Sequence, residues 1–176
     1  MTRSRPFTFL AGAAVVPLAA LALVGCGSGG SASTQAAPPK TASGQPATIG
    51  IANDSNLGKI LVNSQARTLY LFLKDSGTTS ACTGACAAAW PPLRANGKPT
   101  LGSGANASLI GTTTRSDGNL QVTYNGHPLY LYAGDQKPGD TNGQGLTQFG
   151  GGWFALSSIG SQVSGQGSGS GGYTFR

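Results

Sequence analysis

Glutamate is missing from this chain, histidine occurs once, and there are only three cysteines and five acidic residues. With His127 as the sole imidazole, a metal centre would need more ligands than the Cys82-x-x-x-Cys86 pair supplies. The Cys-x-x-Cys-His signature of haem attachment is absent, and so are a Gly-x-Ser-x-Gly elbow and a phosphate-binding loop. Basic residues never cluster. Past the first twenty-five positions, Lys40, Lys59, Arg67, Lys74, Arg94, Lys98, Arg115, Lys137 and Arg176 stand singly, which gives no support to nucleic-acid binding. Those nine face five aspartates, a formal charge of +4, suited to contact with an anionic envelope.

The N-terminus is the one long apolar run. Arg3 and Arg5 precede Phe7 to Val24, and Leu23-Val24-Gly25-Cys26 then gives way to Gly, Ser and Ala. This is the pattern of a signal peptide ending in a lipobox, with Cys26 as the thiol to be acylated; Pro17 and the short run argue against a retained transmembrane helix. The expected organisation is a lipoprotein signal peptide over 1–25, a tether over 26–47, a β domain over 48–160 and a Gly/Ser-rich tail over 161–176. The tether has almost no large apolar side chain and cannot offset its ordering entropy. The role of the terminal Tyr173-Thr174-Phe175-Arg176 is left open.

Within the β domain, residues 58–75 align without a gap on 118–135, at an offset of sixty, with six of eighteen positions identical. They are Gly58/Gly118, Val62/Val122, Leu69/Leu129, Tyr70/Tyr130, Leu71/Leu131 and Asp75/Asp135, with Phe72 answered by Tyr132. Trp90-x-x-Leu93 recurs as Trp153-x-x-Leu156. Repetition at this period signals one supersecondary unit used twice, here about 48–100 and 108–160. The chain resembles the bacterial secreted-repeat lipoproteins carrying a Tyr-x-(Phe/Trp/Tyr)-x-x-Asp motif. The resemblance rests on Tyr70, Phe72 and Asp75, on Tyr130, Tyr132 and Asp135, on Cys82-x-x-x-Cys86, on Trp90-Pro91-Pro92 and on the Pro138–Gly145 stretch. It implies a cell-envelope location and a repeat domain, with no established reaction.

Alternation around Asn63-Ser64-Gln65-Ala66 and around Asn125-Gly126 predicts a hairpin in each repeat, since Asn-Gly suits the positive φ of a type I′ turn. Leu69, Leu71, Leu129 and Leu131 should face one side, and Tyr70, Phe72, Tyr130 and Tyr132 the other. The expected fold is therefore mainly β: two tandem pseudo-symmetric hairpin repeats in one small sandwich or closed sheet, with a short helix near the cysteines. Further strands are expected at Thr48–Ile51, Ser108–Thr114 and Phe154–Ile159. Gly150-Gly151-Gly152 reads as flexible backbone.

Four residues along a helix rise ~6 Å, so Cys82 and Cys86 can bridge, and export favours the disulfide; a labile redox pair is the alternative. The motif tyrosines read as core and the aspartates as turn caps, with a carboxylate pair acting in hydrolysis as the rival. The Asp135–Gly145 stretch lacks the ligand pattern of an EF-hand and reads as a hydrogen-bonded loop. The functional expectation is a binding or structural module held to the membrane by lipid on Cys26, without a cofactor, metal or nucleic acid, meeting an unidentified envelope partner or small ligand. A redox accessory using Cys82 and Cys86 comes second, and a hydrolase using Asp75 and Asp135 third.

Overall fold

The computed structural model describes residues 46–165. The signal peptide, Cys26, nearly all of the tether and Tyr173–Arg176 lie outside them. Among the described residues the strands are β1 (Thr48–Asp54), β2 (Gly58–Asn63), β3 (Tyr70–Phe72), β4 (Thr100–Leu101), β5 (Ile110–Thr114), β6 (Leu120–Tyr124), β7 (His127–Pro128), β8 (Thr147–Gln148) and β9 (Gly151–Ala155). A 3-10 turn, Ala107–Leu109, precedes β5. The one α-helix among the described residues, α1 (Ala85–Ala89), runs through the alanines beside Cys86 and ends at Trp90, before two prolines that cannot continue it.

The expected mainly-β fold takes the form of three three-stranded sheets, ordered β2-β1-β4, β3-β9-β8 and β5-β6-β7. Only β1 and β4 pair in parallel. Single bridges tie the sheets to the segments between them and those segments to one another, including Ile60 to Ser157, Pro92 to Tyr130 and Tyr70 to Tyr130. The repeats are interlocked rather than merely adjacent. Strand β3 of the first repeat pairs with β9 of the second, Leu71 opposite Phe154. In return, Leu93 of the first repeat donates to the Leu129 carbonyl at 2.8 Å and accepts from the Val122 amide at 2.8 Å.

The two hairpins turn differently. Asn125 and Gly126 both have positive φ, 49° and 79°, as a two-residue type I′ turn requires. The first hairpin spends one more residue: Asn63 Oδ1 accepts the Gln65 and Arg67 amides at 2.9 Å each, and Ala66 takes a φ of 55°. Leu69 consequently bonds to Leu61, whereas Leu129 bonds to Val122. Structural equivalence thus runs at sixty-one before the turn and at sixty after it. The identity of Val62 with Val122 is not structural. A one-residue slip reverses the face of a strand, and the two valines lie in different cores.

Period-two alternation divides the interior as the sequence predicts. One cluster gathers Leu61, Leu69, Leu71, Leu93, Leu129, Leu131 and Leu156. The other holds Tyr70, Phe72, Trp90, Tyr130, Trp153 and both cysteines, with Tyr132 packed against it. Gly151 and Gly152 are not loose backbone but part of β9. A Cβ on Gly151 would stand 2.8 Å from the Phe72 ring, so the aromatic core demands glycine there. The expected strand Phe154–Ile159 is accordingly displaced toward the N-terminus, because Trp153 and Ala155 are the residues that pair with Phe72 and Tyr70.

Candidate functional site

The two motifs meet in a reciprocal antiparallel bridge between Tyr70 and Tyr130. Tyr70 and Tyr130 exchange backbone hydrogen bonds, at 2.9 and 3.0 Å, and so place their side chains on the same buried cluster. Each hydroxyl then reaches the aspartate of the opposite repeat. Tyr70 Oη donates to Asp135 Oδ2 at 2.7 Å, and Tyr130 Oη donates to Asp75 Oδ2 at 2.8 Å. The second oxygen of each carboxylate holds the loop that follows its own motif. Asp75 Oδ1 accepts the Ala81 amide at 2.8 Å, and Asp135 Oδ1 accepts the Asn142 amide at 2.9 Å. Each of the four carboxylate oxygens thereby has a protein donor, and neither carboxylate bonds to the other.

The surroundings of the two pairs differ. Tyr130 Oη also shares a 2.7 Å hydrogen bond with Ser80 Oγ, while Tyr70 Oη receives the Gly143 amide at 3.3 Å. Gly143 must be glycine, because a Cβ would lie 2.8 Å from both the Tyr70 and Trp90 rings. Arg67 donates to the Asp135 carbonyl. The buried Arg115 spans the repeats, reaching the Cys82 carbonyl at 2.6 Å, Ser80 Oγ at 2.8 Å and Gln121 Oε1 at 2.7 Å. Burial pushes the Asp135 carboxyl up to about 6, against the opposing pull of the hydrogen bonds from Tyr70 and Asn142. Asp75 is raised for the same first reason. Burial drives both phenols upward, and the charges of Asp135 and Asp75 add to it. The phenols therefore keep their protons at neutral pH and act as donors to the carboxylates.

Beside these pairs stands a column of four rings. Phe72 stacks on Trp153 at 4.0 Å, Trp153 on Trp90 at 3.9 Å, and Trp90 on Tyr132 at 4.3 Å. Tyr70 and Tyr130 meet Trp90 and Trp153 edge-on, at 5.4 and 5.2 Å. The order alternates between repeats, so neither repeat can build the column alone. Both indole N–H groups end on one residue: Trp90 Nε1 donates to Gln148 Oε1 at 2.9 Å, and Trp153 Nε1 to the Gln148 carbonyl at 3.2 Å.

Cys82 and Cys86 are disulfide-bonded with Cα atoms 5.2 Å apart, inside the aromatic cluster. The loop from Asp135 to Gly145 is closed by its own hydrogen bonds: Asp140 Oδ2 accepts the Gln136 and Lys137 amides at 2.8 and 2.9 Å. Among the described residues no three His, Cys, Asp or Glu side chains are grouped to hold a metal ion, and no helix is long and apolar enough to cross a membrane. Tyr70, Phe72, Asp75, Tyr130, Tyr132 and Asp135 thus converge, and Cys82 and Cys86 join them. Sequence reasoning did not single out Gln148, Arg115, Ser80 or Gly143. The recurring Trp-x-x-Leu pointed to the tryptophans, but nothing local marks Gln148, Arg115 or Ser80, and Gly143 entered only as part of the Pro138–Gly145 stretch.

A family model described as a secreted repeat of unknown function, Lipoprotein_15, matches residues 52–94 and again 111–157, together just over half of the chain. The chain belongs to that family. The two matches fall on the two halves of the interlocked structure. No curated protein and no solved structure matches it.

Proposed function

We propose that this protein is a lipid-anchored module of the cell envelope, tethered through Cys26, whose double repeat serves as a rigid binding or structural body. The reciprocal Tyr70–Asp135 and Tyr130–Asp75 bonds carry this reading. They spend the motif's polar groups on joining the repeats, and they leave Asp135 wholly buried. A hydrolytic pair would instead need two carboxylates facing one substrate. The lipobox around Cys26 and the apolar-poor stretch behind it support anchoring at a distance from the bilayer. Replacement of Cys26 by Ser should abolish incorporation of labelled lipid and shift the protein from the membrane fraction to the soluble one. Unchanged fractionation with label still incorporated contradicts the anchor.

One observation favours a second reading, a redox accessory. The disulfide lies in the same cluster as the stacked tryptophans. Cys82 is fully buried and Cys86 nearly so, which shields the bond from thiols and favours a structural bridge. A midpoint potential below about −300 mV marks a structural disulfide, and a clearly higher value supports the redox reading.

A further inference from the structure

Among the described residues two hairpins turn on a pair of positive-φ residues, and they are built from different amino acids. At the tip of β6–β7 stand Asn125 and Gly126, with φ of 49° and 79°. At the tip of β8–β9 stand Phe149 and Gly150, with φ of 54° and 84°. Asparagine tolerates the left-handed region, whereas a bulky aromatic there is an outlier held in place by its surroundings. The holding contacts are present. Both indole N–H groups fasten Gln148, and Lys74 Nζ donates to the Phe149 carbonyl at 3.3 Å. Phe149 is nevertheless 42% exposed, so the strained aromatic does not serve the core.

Its neighbours at that end of the sheet have the same character. Leu73, 55% exposed, donates its backbone amide to Gly152, and its side chain lies against the position a Gly152 Cβ would take. Lys74 is exposed beside it, and the adjacent Asp75 turns inward to Tyr130. A phenyl ring, an isobutyl group and an ammonium therefore stand together at this tip, and Asp75, the carboxylate next to Lys74 in sequence, is turned away. This is the chemistry of an interfacial membrane contact, in which apolar side chains enter the headgroup boundary and a cation meets anionic lipid.

We infer that the β8–β9 tip, with Phe149 as its inserting residue and Leu73 and Lys74 as flanks, docks the domain onto an anionic lipid surface. The inference rests on the proposed envelope location, and the docking is separate from the covalent anchor. The occupant is lipid rather than a protein groove, because two exposed apolar side chains stand beside an exposed lysine, in a segment 46–165 carrying seven Lys and Arg against five Asp. The hydrogen bonds that already hold Gln148 and the Phe149 carbonyl reduce the ordering that insertion would cost.

The test uses the mature-length chain with Cys26→Ser, so that no acyl chain contributes. It is sedimented with vesicles of phosphatidylglycerol and phosphatidylcholine, and with phosphatidylcholine alone. The parent should bind the anionic vesicles, and Phe149→Asn should bind about tenfold more weakly. The same variant should melt no lower than the parent, because Asn-Gly suits the turn. Phe149→Trp should restore binding, and Lys74→Gln should remove the preference for anionic lipid. Equal binding by parent and Phe149→Asn overturns the inference, and so does failure of the parent to bind either vesicle. Lipid labelling of native Cys26 is read independently, so loss of the anchor reading is distinguishable from loss of the docking surface.

Discussion

The Tyr70 hydroxyl and the Asp135 carboxylate, 65 residues apart, meet at 2.7 Å inside the fold. The same bond is made in reverse by Tyr130 and Asp75. Each motif is therefore completed by the other copy, and the aromatic column between them alternates in the same way.

Removing one partner tests this lock. Tyr70→Phe keeps the ring but leaves a buried carboxylate oxygen without its donor, which costs ~1–3 kcal/mol. Combined with Asp135→Asn, the two losses should not add, and a double-mutant cycle by chemical denaturation should return a coupling of ~0.5–3 kcal/mol. Strict additivity would contradict a direct bond.

Asp135 also sets a pH dependence. Its carboxyl is raised to about 6 when folded, first by burial, with the Asp140 charge adding to the rise and Arg67 opposing it. Protonation thus favours the folded state. That contribution is fully present below the unfolded carboxyl range of about 4 and is lost as pH rises through about 6. The melting temperature of the parent relative to Asp135→Asn should fall between those two values and level off above them. Since Asp75, Asp117 and Asp140 are common to both proteins, their own titrations largely cancel. A difference that is flat or rises with pH would contradict the burial of this group.

Gly143 is a steric prediction. Placing a Cβ 2.8 Å from the Tyr70 and Trp90 rings must displace one of them, so Gly143→Ala should destabilise by ~1–3 kcal/mol and change the tryptophan fluorescence. Gly139→Ala lies in the same loop with nothing within 4 Å of its Cβ position. That variant should leave the fluorescence unchanged, with only a backbone cost from its positive φ.

Much of this was legible in the residues. The offset between repeats announced a duplicated unit, and alternation correctly sent Leu69 and Leu71 to one core and Tyr70 and Phe72 to the other. The register before the turn was not legible. The Val62/Val122 identity favoured an ungapped alignment, while the extra residue in the Asn63–Arg67 turn shifts the strand by one. The exchange of partners was equally hidden. Tyr70 and Asp75 are near in sequence and read as one self-contained motif, and only the long-range pairing of β3 with β9 and of Tyr70 with Tyr130 brings Asp135 instead. Gly151 and Gly152 read as flexible because the rings that require them come from the other repeat.

Interdependence of the two repeats is the central claim, and fragment complementation tests it most directly. The chain from 46 to 165 is divided after Gly104, between β4 and β5, and each half is examined alone and in equimolar mixture by backbone NMR. Each half alone should lack dispersed resonances, since β3 loses β9 and both tyrosine hydroxyls lose their carboxylates. The mixture should recover a single dispersed spectrum with cooperative melting. A dispersed spectrum from either half alone, with its own cooperative transition, would contradict the account.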